Sequence, residues 1–211
     1  ATINAGSNAV TLGDGASETT NFGSLNLTGG TVMVTEDSAS DLAGVSASAL
    51  TLTSAGDVTD SGNLTVSGAT IVTNSSGDLT LDSTGNTLGT VALTCAEDVA
   101  VVSSGALSGT VTGSTLQAKA GTGVNLDTVV TKLAATSASG NLEVTNTGAL
   151  TIAEFTDGPK LNGVSLTAGS ASNGIKLIAK SPITVDAPVT NNAGAVTLAA
   201  TGASASDTLV V

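Results

Sequence analysis

Leu116-Gln117-Ala118 is followed closely by Val124-Asn125-Leu126, and Leu133-Ala134-Ala135 by Leu142-Glu143-Val144. The phrase is a leucine, any residue and a small residue, then a Gly/Ser/Ala-rich corner and another apolar strand. It is already present as Leu52-Thr53-Ser54 leading to Val58, and as Leu93-Thr94-Cys95 leading to Val99-Ala100-Val101. It returns as Leu166-Thr167-Ala168 before Ile175-Lys176-Leu177, and as Leu198-Ala199-Ala200 before Leu209-Val210. Units that repeat in this way cannot each bury an apolar side alone, so they must stack on one another.

Between the copies run other short apolar-x-apolar strands bounded by turn residues, among them Val10-Thr11-Leu12, Leu25-Asn26-Leu27, Leu64-Thr65-Val66, Leu79-Thr80-Leu81 and Ile183-Thr184-Val185. They follow one another at about eight residues, stretching to a dozen where a corner bulges. No sustained 3.6-residue apolar period is found, so almost no helix is expected. An antiparallel sandwich would favour two-residue hairpins, and the candidate Asn-Gly dipeptides, Asn162-Gly163 and Asn173-Gly174, are too few for a meander. The copies starting at Leu133, Leu166 and Leu198 lie about 32 residues apart, and the others closer to 20. The expectation is an all-β, right-handed parallel β-helix with turns of about 20 residues, some corners expanded into loops. It forms a single solenoid domain over residues 1–211, with 1–48 less regular than 49–211.

Composition agrees with narrow, regular layers. The chain is 40% hydrophobic but only 1% aromatic, with Phe22 and Phe155 and no Trp, Tyr or His; its five cations are all lysine. Val and Thr suit a pleated surface, whereas aromatics fill irregular space. A net charge of −12 repels phosphate backbones and anionic lipid surfaces, so neither nucleic acid nor a membrane surface is an expected partner. No apolar run reaches the length of a transmembrane helix. Cys95, the single cysteine, cannot form an intrachain disulfide and reads as a small apolar filler.

The stretches SGDLTLDSTGNTLGTVALT (76–94), SGNLEVTNTGALTIA (139–153) and NNAGAVTLAATGA (191–203) resemble the repeats of filamentous-haemagglutinin-type exoproteins and autotransporter adhesins. The resemblance covers the chain from about residue 49 onward. It implies a β-helical stalk of a large bacterial surface protein, secreted or displayed at the cell surface. The Asn-Pro-Asn motif of the secretion domain in that group is absent, and Pro159, Pro182 and Pro188 lie in other contexts. The resemblance therefore implies stalk rather than the secretion-targeting end.

Without histidine, a Ser-His-Asp triad is excluded and general acid–base work by imidazole with it. Four acidic clusters remain for a carbohydrate-active β-helix: Glu36-Asp37, Asp57 with Asp60, Asp78 with Asp82, and Glu97-Asp98. Two carboxylates must face one glycosidic bond, and the aromatic platforms that hold sugar rings are missing. Gly13-Asp14-Gly15 with Glu18, or Asp57 with Asp60, offer oxygen ligands for calcium, but turn roles suit these residues better. Asn26, Asn63 and Asn74 open glycosylation sequons. Threonine-rich strands offer a minor reading, flat ladders of hydroxyl and methyl groups as in some ice-binding solenoids. That needs aligned Thr-x-Thr on one face, and the threonines read as scattered. No residue is assigned to catalysis, to a cofactor or to a metal.

Both ends, Ala1-Thr2-Ile3 and Leu209-Val210-Val211, have the character of mid-strand sequence rather than of a polar cap. The expected partners are therefore neighbouring repeats or further copies, end to end, together with host or neighbouring-cell surface receptors. Three function classes follow: a non-enzymatic extracellular stalk or adhesin segment, a self-assembling filament, sheath or surface-layer subunit, and, at a distance, a carbohydrate-active enzyme.

Overall fold

A computed structural model describes residues 1–13, 19–203 and 207–210. These form twenty-one strands and no helix. In chain order they are β1 (Thr2–Asn4), β2 (Val10–Leu12), β3 (Ser24–Glu36), β4 (Ser40–Ser54), β5 (Val58–Thr59), β6 (Leu64–Asn74) and β7 (Leu79–Leu81). There follow β8 (Thr87–Thr94), β9 (Asp98–Ser103), β10 (Leu107–Thr112), β11 (Thr115–Ala120), β12 (Val124–Val129), β13 (Lys132–Ser137) and β14 (Leu142–Asn146). The last are β15 (Leu150–Ile152), β16 (Val164–Leu166), β17 (Ile175–Ala179), β18 (Ile183–Val185), β19 (Val189–Asn191), β20 (Val196–Ala200) and β21 (Leu209–Val210).

Each strand pairs in parallel with its counterparts one turn away, which is the signature of a parallel β-solenoid. Its longest wall can be followed as one inward-facing column: Val10, Val32, Leu50, Thr70, Val91, Gly109, Leu126, Val144, Leu177 and Leu198, ten turns in all. A second wall stacks Val58, Leu79, Val99, Leu116, Leu133, Ile152 and Val185. A third, short wall runs through Leu27, Val45 and Leu64. The inward side chains of all three meet in one continuous Leu/Val/Ile core, in which Leu25, Leu50, Leu79, Leu116 and Leu133 are wholly buried.

The recurring Leu-x-small phrase is therefore distributed over two walls and does not mark successive turns. Leu52 and Leu93 belong to the long wall, joined through Val72. Leu116 and Leu133 stack directly in the second wall. Leu166 sits on Ser137, and Leu198 on Leu177. The turn itself varies from 17 residues (Val99 to Leu116) to 33 (Leu142 to Ile175). Corners absorb the variation, while the strands stay in register.

Close stacking leaves no room for a side chain at some positions within the strands. A Cβ on Gly109, whose φ is +132°, would collide with the carbonyl oxygen of Val91 one turn below, and one on Gly89 with that of Gly68. Corner backbone that strands cannot pair is satisfied by buried polar side chains. The Asn146 amide donates to the carbonyls of Val130, Gly148 and Ala149, while its oxygen accepts the Val130 N–H and the Thr128 hydroxyl. Glu36 and Ser54 stack in register at another such corner, and Asn74 follows Ser54.

Candidate functional site

The acidic clusters separate into corners and a ladder. Glu36 is buried and accepts the Phe22 N–H and the Ser40 hydroxyl, both at 2.7 Å, and Asp37 accepts the Thr20 N–H at 2.7 Å. These are structural bonds that close a turn. Asp60 occupies an inward corner site and is 7% exposed. It accepts the N–H groups of Asp82 and Ser83 and the amide of Asn86, which in turn accepts the Leu64 N–H. Burial holds the Asp60 carboxyl above its usual range, partly offset by these donors. Asp57 faces outward from the neighbouring wall, so Asp57 and Asp60 do not converge on one ion. Asp14, Gly15 and Glu18 lie outside the described residues. Among the described residues, no group of three His, Cys, Asp or Glu side chains is arranged to hold a metal.

Asp57, Asp78 and Asp98 precede Val58, Leu79 and Val99, which stack in register, so their carboxyl groups climb one edge of the second wall. Asp57 accepts the Asp78 N–H at 3.0 Å, and Asp78 accepts the Asp98 N–H at 3.1 Å. Asp57 and Asp78 thus cap the strand start of the following turn. Glu97, beside Asp98, is exposed.

One segment leaves the repeat and returns to this ladder. Between β15 and β16, residues 153–163 form an arm whose neck is closed by the Phe155–Leu161 backbone bond and the antiparallel Glu154–Asn162 bridge. Asn162-Gly163 lies at that neck, where it closes an excursion and joins no pair of hairpin strands. The arm folds back over the outward face of β9, β11 and β13, so that Ala100, Gln117 and Ala134 are buried although they point away from the core. Gln117 is its anchor: the amide donates to the Asp157 carbonyl at 3.1 Å, and the side-chain oxygen accepts the Leu161 N–H at 3.2 Å. Asp78, Asp98, Gln117, Phe155 and Asp157 border a recess of about 50 Å³ beneath it, room for only a water or two. The sequence signal for this arm was the 33-residue step, together with one of only two aromatics.

Cys95 is buried, and its thiol lies 3.2 Å from the Gly77 carbonyl and 3.4 Å from that of Asp98. Burial pushes its thiol up from the ordinary value, so it rests protonated as a corner filler. It does not share a column with Ala135 or Ala200, which pair with Ala118 and Ala179. Asn74 is buried with its amide bonded to the Gly77 and Asp78 carbonyls, which closes that sequon to a glycan in the folded chain.

The threonines are not scattered, contrary to the reading by sequence position. Thr35, Thr53, Thr73, Thr94 and Thr112 pair in unbroken register on five successive turns of the long wall and point outward. Each directly follows an inward core residue: Val34, Leu52, Val72, Leu93 and Val111. That dipeptide was the available signal. It was hidden because the steps between copies (18, 20, 21 and 18 residues) share no fixed period.

Comparison with known proteins gives one family match, described as "Repeats of unknown function (DUF5649)", over residues 29–94. That span holds most of β3 and all of β4 to β8, the turns that carry most of the threonine column. No curated protein and no solved structure matches the chain.

Proposed function

We propose that this chain is a non-catalytic structural segment, a β-helical stalk of an extracellular bacterial surface protein of adhesin type. The observation that carries the reading is the uninterrupted in-register core through ten turns. At about 4.8 Å per turn this makes a rod about 48 Å long whose backbone bonds run along its axis. The described carboxylates support a structural role, since Glu36, Asp37, Asp57, Asp60 and Asp78 spend their oxygens on backbone N–H groups of the fold. The similarity of residues 76–94, 139–153 and 191–203 to adhesin repeats supports the surface location.

Electron microscopy of the purified chain, with antibody labelling of intact producing cells, tests both parts. The proposal expects single stiff rods and label on the cell surface. Long fibres of uniform width would replace the stalk with a self-assembling subunit, and label confined to the cell interior would remove the surface role. Turnover of a polysaccharide that survives Asp→Asn changes at residues 57, 78 and 98 would overturn the non-catalytic part.

A further inference from the structure

On the long wall, two outward columns run in unbroken register over five turns, with a third beside them that is interrupted once. Thr35, Thr53, Thr73, Thr94 and Thr112 form the outer one. Met33, Thr51, Ile71, Ala92 and Thr110 form the middle one, in the same register. Beside it lie two shorter stacks, Thr31 with Ala49 and Ala69 with Thr90 and Ser108, separated by a register irregularity between β4 and β6. Of these fifteen residues none is charged, in a chain of net charge −12. Met33 and Ile71, 50% and 40% exposed, stand in the middle of it, and the first charge in the middle column is Asp127 one turn on. None of the five outer threonine hydroxyls bonds to another described residue.

We propose that this face binds the surface of ice. It presents hydroxyl and methyl groups on a two-dimensional grid, about 4.8 Å between turns and about 7 Å between alternate residues. Threonine is stiff at χ1, so each hydroxyl–methyl pair is held in place before binding and costs little ordering entropy. The occupant follows from what the face lacks. Absence of charge gives nothing to an ionic partner. Absence of aromatic and arginine anchors leaves a protein partner no hot spot and a sugar no platform. The patch measures roughly 24 Å by 17 Å, about 400 Å², half of the ~800 Å² per partner that a stable protein pair buries. A second copy of this chain is therefore held poorly. A neutral crystal whose own groups repeat in two dimensions can engage every turn at once, and water rows held between the methyl groups merge with its lattice.

The test is growth of single ice crystals in the purified chain under a microscope, with the gap between melting and freezing points read alongside. Expected are faceted crystals and a measurable gap. Both should be lost in Thr53→Lys/Thr73→Lys and kept in Ser46→Lys/Thr65→Lys, an exposed pair on the short wall. Circular dichroism melts confirm that each variant is folded. Round crystals with no gap for the unmodified chain would overturn the proposal. So would equal activity in both variants. Concentration-dependent dimers abolished by the Thr53/Thr73 change, without ice shaping, would also overturn it and assign the face to a second copy.

Discussion

The turns from β3 to β8 and the turn that holds the arm solve the same stacking problem in opposite ways. In the first region, strands of eight to fifteen residues carry most of each turn. Their outward side is bare, and stability comes from the core column and the polar bonds at its corners, with no second layer outside. In the second, β13 is answered by two short strands, Lys132-Leu133 pairing with β15 and Ala135 to Ser137 with β16. The residues between them fold outward and cover the neighbouring turns, so side-chain bonds such as those of Gln117 add a second layer. Long strands leave a face free to meet a partner; a split strand uses its face internally. The contrast teaches that corner length decides which walls of a solenoid stay available, while the core is common to all.

The contrast can be broken most sharply in the core. Leu52→Ala removes a wholly buried side chain from the bare region and is expected to cost about 2–5 kcal/mol in denaturant unfolding, lowering the whole transition because every turn depends on its neighbours. Gln117→Ala, which strips the arm of its anchor, leaves the Leu161 N–H and the Asp157 carbonyl without their partner, worth about 1–3 kcal/mol. Here the effect is local: hydrogen exchange should accelerate at Phe155 and Leu161 while the global midpoint moves little. Equal global losses for the two variants would erase the distinction between a primary stack and an added layer.

A smaller effect has the opposite sign. The Thr70 hydroxyl is buried in the long wall between Leu50 and Val91 without a hydrogen-bond partner. Thr70→Val, of the same shape, should stabilise by about 1 kcal/mol. A loss of stability would contradict the unpartnered state of that hydroxyl.

Acid titration sharpens the picture within the bare region. Burial raises the Asp60 carboxyl above 3.8, so the folded state holds that proton more tightly than the unfolded one. Its contribution to stability is therefore greatest below 3.8 and is lost as pH rises through the folded value. For Asp41, burial also opposes ionisation, but hydrogen bonds from Ser61, Ser24 and Thr59 together outweigh it and the net shift is downward. Its contribution is present above 3.8 and fades as pH falls through the folded value. Carbon-13 NMR of the two carboxyl groups should place one midpoint on each side of 3.8; the reverse order would contradict the corner geometry.

How much of this was legible depends on the distance over which the information is stored. The solenoid was readable because alternation and small corner residues act within a few positions, as in Leu79-Thr80-Leu81 or Val164-Ser165-Leu166. The threonine column was not, because its register is the sum of every corner before it, and those corners differ by one to three residues. The arm was visible as an excess of length, yet its landing place on Gln117 was not, since the contact spans 40 residues and rests on one amide. The acidic clusters were visible as charges, while their use as caps for strand starts required the stacking.

Central to all of this is the in-register stack, and a pair of spin labels measures it directly. In a Cys95→Ala background, labels at Thr35→Cys and Thr112→Cys lie 77 residues apart in sequence but four turns apart along one column. The stack predicts a narrow distance distribution near ~19 Å, shortening by about 4.8 Å when the first label moves to Thr53. A broad distribution, or a distance that does not shorten with that move, would contradict it.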